Sequence, residues 1–367
     1  MGTGLVCSVT EPQLHYSLTK LRGSQVSAQR FRVGLLAYGA IGDEHARAVE
    51  SSAGLFVAAV CDMNPARIEA ALEICPDAIP FTDADAMIES GQIDVVIVST
   101  PPNSHYSWAK KALALGLHVV LEKPMALTTQ ECDELMQLAS DAARVLVVYQ
   151  NRRFDQDFLT IKALIDSGEI GDVFAYESFV GGYSKPCSFW HSDASISGGA
   201  IFDWGSHFID QILSILPGQI DFVTGLNQKR VWDHITNADH AQVIINFTDG
   251  VQASFINSDL SAARKPKFYI LGTKGAIIGD WDTSGDGAVA DLPAIISVYD
   301  NQGEAYIAEC VEARPYAFHT SLSDHLTDQL PMSVQAQQSR DVVAIMAAAE
   351  SSALNNGLPV TPVLLRA

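Results

Sequence analysis

Between Phe31 and about Gln150 the chain repeats one unit: a short, nearly unbroken apolar run followed by a stretch with helical spacing. The runs are Phe31–Ala37, Leu55–Cys61, Val95–Ser99, His118–Leu121 and Val145–Tyr149. A strand that is apolar at nearly every position fits a sheet covered on both faces. Parallel strands cannot be joined by tight turns, so the stretches between them read as crossover helices with the right-handed connection that strand twist favours. Two of these helices carry start signals. Asn64-Pro65 offers an N-cap and a first-turn proline, and Thr128 with Glu131 has the spacing of a capping box. The expectation for residues 31–150 is an α/β fold built on a doubly wound parallel sheet.

After Arg153 the rhythm changes. Phe174–Val180, Ala241–Phe247, Val251–Ile256, Phe268–Leu271 and Ile295–Tyr299 read as strands, with Thr248-Asp249-Gly250 as a hairpin turn between two of them. Ala200–Leu216 is a helix-like interruption, and Val334–Leu354 has the pattern of a long amphipathic helix. These segments predict a C-terminal α+β domain over residues 151–367, with an open, mostly antiparallel sheet and helices on one face. Residues 1–30 form a separate N-terminal arm. The uncovered sheet face needs a partner, so a homodimer or homotetramer through that sheet is expected.

Composition narrows the partners. A formal charge of −20 over 367 residues is the wrong sign for nucleic acid phosphates and for anionic membrane surfaces. Neither is expected; a small molecule of little charge is. Six cysteines without a CxxC pair read as reduced thiols of a cytoplasmic protein, not as a disulfide or zinc framework. No apolar run is long enough to span a bilayer, and residues 1–30 lack the apolar core of a signal peptide.

The first apolar run empties into Ala37-Tyr38-Gly39-Ala40-Ile41-Gly42, followed by a helical pattern with His45, Ala46 and Val49. A dinucleotide site needs a tight turn there, a backbone that pyrophosphate can approach, and helix N–H groups aimed at the anion. Gly39 and Gly42 take the second and third positions of GxGxxG. Ala37 stands at the first, which an alanine tolerates with a negative φ. Asp62 ends the second run 23 residues after Gly39, near the ~20-residue spacing of an acid that binds the adenosine ribose. Its carboxylate would accept from both ribose hydroxyls and repel a 2′-phosphate, which predicts NAD over NADP. The alternative is that Asp62 caps the turn before Asn64-Pro65. Thr100, Pro101, Asn103 and His105 follow the Val95–Ser99 run with small polar and backbone groups at the same sheet edge, although His105 also reads as a plain first-turn helix residue. Glu122, Lys123 and Pro124 end the fourth run, placing one amine where open α/β sheets bind ligands.

In the second half the chemistry-bearing string is Gly198-Gly199-Ala200-Ile201-Phe202-Asp203-Trp204-Gly205-Ser206-His207-Phe208-Ile209-Asp210. Asp203 and His207 are four apart and would share a helix face. A histidine can exchange a hydroxyl proton near neutral pH with a carboxylate orienting it. The same pair also reads as a buried, satisfied histidine on an amphipathic helix, or as two ligands of a metal for which the sequence supplies no remaining ligands. The two glycines would let the chain pass close to a ligand, and Asp210 reads as a structural cap or ion pair.

Ala37–Gly42, Asp62, Thr100–Asn103, Glu122-Lys123-Pro124, Asn151-Arg152-Arg153-Phe154 and Gly198–Asp210 stand in the order found in one family. From about Phe31 to Pro359 the chain resembles the glucose–fructose oxidoreductase / inositol dehydrogenase / MocA family. The resemblance implies an N-terminal Rossmann domain and a C-terminal domain whose open sheet builds dimers or tetramers. It also implies NAD(P)-dependent redox chemistry on sugars, cyclitols or related polyols, with no metal. By position, Lys123 matches the lysine of the family's Glu-Lys-Pro motif, and Asp203 and His207 match its acid–histidine pair. His207 would then take the proton of a secondary hydroxyl while hydride leaves the same carbon. Lys123 would hold the oxygen, and Asp203 would orient the site and ease the charging of His207. Ala37 departs from the glycine fingerprint, and residues 1–30 lie outside the resemblance. Some family members have lost or diverted the redox step, so two other readings remain. One is a redox-neutral enzyme that transiently oxidises a glycoside with tightly held NAD; the other is a non-catalytic dinucleotide sensor.

Arg152, Tyr183, Trp190 and His191, with Lys185 and Arg264, are the candidates for a substrate wall between the domains. Aromatic rings stack on the apolar faces of sugars, basic groups bind hydroxyls, and loops over rigid scaffolds carry such contacts. The alternatives are packing for Trp190 and a solvated turn for Arg264-Lys265.

Overall fold

A computed structural model describes residues 30–283 and 293–366, so the expected arm lies, apart from Arg30, outside the described residues. The N-terminal half runs β1 (Phe31–Leu36), α1 (Gly42–Ser51), β2 (Leu55–Cys61), α2 (Pro65–Ile74), β3 (Ile79–Phe81) and α3 (Ala84–Glu89). It continues through β4 (Val95–Val98), α4 (His105–Ala114), β5 (His118–Leu121), α5 (Thr129–Asp141) and β6 (Leu146–Val148). All six strands are parallel, in the order β3-β2-β1-β4-β5-β6. The chain reverses its winding between β1 and β4, which leaves a crevice at the carboxyl edge of the sheet. The apolar runs are buried as their composition demands; every residue of β4 is inside. Both anticipated caps form. The Asn64 side chain accepts from the Ala66 N–H, and Thr128 and Glu131 make a reciprocal capping box.

The C-terminal half holds α6 (Gln156–Asp166), β7 (Val173–Gly181), α7 (Ala194–Ser197), α8 (Gly205–Ile215), β8 (Ile220–Gln228), β9 (His240–Phe247) and β10 (Gln252–Ser258). Then come β11 (Phe268–Gly272), β12 (Gly275–Trp281), β13 (Ala294–Asp300), β14 (Ala305–Ile307), α9 (Ala317–Asp328) and α10 (Ala336–Leu354). Its eight strands are ordered β14-β13-β12-β11-β7-β10-β9-β8 and are antiparallel except at β7–β10. Gly250, with φ of 90°, closes the β9–β10 hairpin by donating its N–H to Phe247 O at 3.0 Å.

One face of this sheet carries α8 and α10. Phe208 of α8 stacks on Phe255 of β10 with centroids 5.1 Å apart. Gly225 of β8 lies so close to α10 that a Cβ there would stand 1.9 Å from the Ala349 carbonyl oxygen. The opposite face exposes Leu226, Tyr269 and Ile295. The two halves interlock. Phe318 and Leu322 of α9 complete the core around Val33 and Val57, and buried Arg340 of α10 pairs with Asp133 of α5 at 2.7 Å. Among the described residues no helix is long and apolar enough to cross a membrane.

Candidate functional site

A cleft of about 960 Å³ opens at the carboxyl edge of the parallel sheet. The turn after β1, Asp62, Thr100–Pro101 and Glu122-Lys123 form one wall; Arg152, Trp190-His191, Asp203-Trp204 and His207 form the other. Ala37 does not keep a negative φ as expected. It sits at φ 69°, a left-handed conformation that costs a residue with a Cβ about 1–2 kcal/mol. A Cβ on Gly39 would meet only the Arg67 guanidinium, at 3.8 Å, so the cleft side of this residue is open to a close-approaching group. Ala40 and Ile41 line the cleft beside the start of α1, whose first N–H groups have no partner within the helix. Gly42 is not part of the lining. A Cβ there would press into the Tyr38 ring at 2.8 Å, so its absence lets α1 pack on Tyr38.

Asp62 holds the turn before Asn64-Pro65 and also borders the cleft. Its carboxylate accepts from the Tyr38 and Asn64 N–H groups, each at 2.8 Å, and it lines the cleft with Arg67 Nη1 3.7 Å away. Thr100 and Pro101 also reach the cleft, whereas Asn103 is exposed outside it. His105 does not face a cofactor. It is buried, and its ring nitrogens lie 2.8 Å from the carbonyl oxygens of Pro124 and Thr100, tying the loop after β4 to the loop after β5.

Lys123 leaves β5 through a cis Lys123–Pro124 peptide. Glu122 holds its backbone: one carboxylate oxygen accepts from the Lys123 N–H at 3.1 Å, and the other lies 3.0 Å from His45 Nε2. His45 Nδ1 in turn lies 3.0 Å from His319 Nε2. The Lys123 ammonium is hydrogen-bonded to the Asp203 carboxylate across the cleft. Asp203 stands in the turn before α8, not on the helix, because α8 begins only at Gly205. Its second oxygen faces His191 Nδ1 at 3.7 Å, and the His191 ring stacks on Trp190 with centroids 3.5 Å apart. No hydrogen bond joins Asp203 to His207 among the described residues, although the Asp203 charge acts on the His207 ring in the raising direction. His207 Nδ1 is buried without a partner.

Desolvation in the cleft works to raise the Asp203 carboxyl, but the Lys123 charge, the nearby His191 ring and the Lys123 hydrogen bond outweigh it and hold it far below the usual carboxylate range. Burial, then the positive charges of Lys123 and Arg152, push His207 well below the ordinary imidazole value. Arg152 lies 5.3 Å over the Trp204 ring and 3.2 Å from Asp155. Arg153 pairs with buried Asp210 at 2.6 Å, a structural bond as anticipated for Asp210. Gly198 and Gly199, at φ 90° and 115°, make the turn and line neither the cleft nor the cavity beside it; a Cβ on Gly198 would strike Phe202 and Leu127.

A second cavity of about 500 Å³ shares His191, Asp203 and Trp204 with the cleft and runs to Asn257, Asp259 and Arg264. Tyr183 lines this cavity, and Lys185 is exposed. Trp204, Asn257 and Asp259 were not anticipated. Trp204 was legible from its place beside Asp203, but the other two reach the site only through strand pairing.

His105, His207 and His319 are all buried and held below their ordinary value of 6.5, chiefly by burial. The unfolded chain therefore binds more protons than the fold below that pH, and stability should fall as pH drops through about 6.5. A urea midpoint that does not move between pH 7.5 and 5.5 would contradict this.

Two family models match. The oxidoreductase family model with an NAD-binding Rossmann fold covers residues 31–150, and the GFO/IDH/MocA C-terminal domain covers 158–278. The Bacillus subtilis scyllo-inositol 2-dehydrogenase (NADP+) IolW is 26% identical over 91% of this chain and 97% of its own length. An uncharacterized oxidoreductase of Schizosaccharomyces pombe, C115.03, is 33% identical over 55% of this chain, and the match spans only 57% of that relative. An NAD-binding protein from Listeria innocua superposes with a TM-score of 0.80 at 25% identity, over 91% of this chain and 97% of its own.

Proposed function

The chain belongs to the Gfo/Idh/MocA oxidoreductase family, and from that premise we propose that it moves hydride between NAD and a secondary alcohol or ketone of a sugar, cyclitol or related polyol. The observation that carries this reading is the convergence of Lys123, Asp203 and His207 where the cofactor cleft meets the second cavity. The open backbone at Gly39, the first turn of α1 and the Asp62 carboxylate fit a dinucleotide's pyrophosphate and ribose. Bound there, the nicotinamide supplies the hydride acceptor or donor.

The chain's own residues handle the oxygen and its proton. Lys123 directs N–H donors at the reacting oxygen and stabilises the negative charge that grows on it. His207, kept neutral by burial and by neighbouring cations, is poised to accept the hydroxyl proton. Asp203 aims Lys123 rather than His207, since it is the lysine that it holds. The exposed apolar residues Leu226, Tyr269 and Ile295 support a homodimer or homotetramer through the C-terminal sheet. The buried thiols of Cys61, Cys75 and Cys132 and the absence of paired cysteine motifs support a cytoplasmic site of action.

Asp62 underlies the choice of NAD. With Asp62→Ser, Arg67 loses its carboxylate neighbour and stands beside the position of a 2′-phosphate. NAD binding should weaken by about tenfold, a loss of ~1.4 kcal/mol, while NADP binding improves relative to it. Fluorescence titration with NADH and NADPH checks this; an unchanged ratio would reduce Asp62 to a turn cap.

The function itself is tested by following NADH and NADPH formation with inositols, aldoses, pentoses and glycosides. Turnover with NAD supports the reading. NAD binding without turnover would favour the redox-neutral enzyme or the sensor, and no binding of either dinucleotide would sink all three.

A further inference from the structure

Two carboxylates meet where β9 begins and β10 ends, and their circumstances differ. The Asp239 side chain is fully buried and saturated: it takes the Lys229 ammonium at 2.7 Å and the N–H groups of Arg230, Val231 and Trp232 at 2.6, 2.7 and 3.2 Å. Asp259 lies beside it, donating its N–H to Asp239 O at 2.9 Å and accepting from the Ser184 N–H at 3.3 Å through its own carbonyl. Its carboxyl, in contrast, has no hydrogen-bond donor among the described residues, and it lines the 500 Å³ cavity that ends at Asp203. A carboxyl partly withdrawn from water and without protein donors favours a ligand group that donates to it, and this one borders the cavity. Burial first, then the Asp239 charge, push this carboxyl up to about 6, with Lys229 acting against them.

We propose that Asp259 is the specificity-determining residue of the substrate cavity, accepting hydroxyl hydrogen bonds from the far end of an uncharged polyol and rejecting ligands that carry a carboxylate there. The inference rests on the reading that this cavity takes the substrate. A hydroxyl supplies the donor that the carboxyl lacks, in a charge-assisted bond. A sugar acid would instead bring a second negative charge against Asp259, with no donor gained, which is selection by repulsion. Arg264 stands on the same wall, its Nε bonded to Gly181 O at 3.2 Å, and its charge alone would welcome a carboxylate. The preference of the wall therefore turns on Asp259. The charged or titratable groups around it are Asp239 and Lys229 behind, Arg264, Tyr183 and Cys187 on the cavity wall, and Asp203 and His191 at the catalytic end.

The test compares the full chain with Asp259→Asn, using NAD and three probes at pH 8: myo-inositol, D-glucose and D-glucuronate. The wild type should favour at least one uncharged probe over the acid by tenfold or more in kcat/KM, the low end of what one hydrogen bond to a charged group gives. In the variant, KM for that probe should rise about tenfold with kcat within a few-fold, the mark of lost ground-state binding, and the acid should gain. An unchanged ratio overturns the proposal.

Melting temperature gives a readout that needs no substrate. The native carboxyl holds its proton more tightly than the unfolded one, so its ionisation costs stability as pH rises, fully so above about 6. Asp259→Asn should therefore melt higher than wild type at pH 8, with the difference shrinking toward pH 5. A variant that melts lower at pH 8 would mean that Asp259 has a partner within the fold, which overturns the proposal whatever the kinetics show. If the wild type turns over none of the three probes, the functional reading loses support and the melting comparison alone decides the role of Asp259.

Discussion

Replacing Lys123 with alanine should lower kcat by about a thousandfold while leaving NADH affinity within a few-fold of wild type. Removing one preorganised donor from a developing oxyanion typically costs 10²–10³ in rate, and Lys123 has a second duty. Its ammonium is the hydrogen-bonded partner of Asp203 and one of the two positive charges that keep His207 from protonating. Alanine would leave the Asp203 carboxylate without its main counter-charge and let His207 drift back toward an ordinary imidazole. The residue that takes the proton would change along with the residue that holds the oxygen. Cofactor binding should survive because the turn after β1, Asp62 and the Thr100 loop do not depend on the lysine side chain. Lys123→Arg should recover little: a planar guanidinium keeps the charge but cannot occupy the position of a compact ammonium. Steady-state kinetics with an NADH fluorescence titration separate the two effects. More than a tenth of wild-type kcat in the alanine variant would remove Lys123 from the chemistry.

The parts of this molecule that could be read from the sequence are those set by local pattern. The strands of the parallel sheet are buried on both faces, so β1, β2, β4, β5 and β6 announce themselves as apolar runs. β3 does not, because Ile79-Pro80-Phe81 is only three residues long with a proline at its centre. β8 mixes polar and apolar residues, and glycines flank the apolar centre of β12, so both depend on their neighbours in the sheet. Ala37 shows the limit of residue preference, since it stands at φ 69° although its Cβ disfavours that region. Asp203 and His207 both line the cleft, but the shared helix face that their i,i+4 spacing suggests is not what joins them: Asp203 precedes the helix and bonds across to Lys123. His105 carried the right residue type at the right edge, yet both of its nitrogens face backbone carbonyls. Asp259 had no local signal at all. Its position follows from the register that pairs Ser258 with His240 and so brings Asp259 against Asp239.

The largest effect on stability should come from Asp157→Ala, with a loss of about 3–5 kcal/mol. Asp157 is fully buried at the start of α6. Its carboxylate accepts from Lys267 Nζ at 2.7 Å, from the Ala294 N–H at 2.8 Å and from the Phe158 N–H at 2.7 Å. The bonds join α6 to β13 and to the residue that leads into β11. Alanine would remove this carboxylate from a lysine that is only 5% exposed and take the acceptor from the buried Ala294 N–H. The Lys267 ammonium also lies 5.5 Å from the Phe268 ring and 5.6 Å from the Trp281 ring, which soften that loss without replacing a carboxylate. The double variant Asp157→Leu/Lys267→Met should be less damaging than Asp157→Ala, because it removes both charges of the pair together. Function should follow stability here, since the turn carrying Arg152 leads directly into α6. A loosened helix lets the guanidinium shift from Trp204, so the single variant should raise KM even where it remains folded. Urea unfolding of the three proteins measures the ordering. A single variant within about 1 kcal/mol of wild type would place the pair in the range of solvent-screened surface bridges, and the account of α6 as pinned by a buried charge would fail.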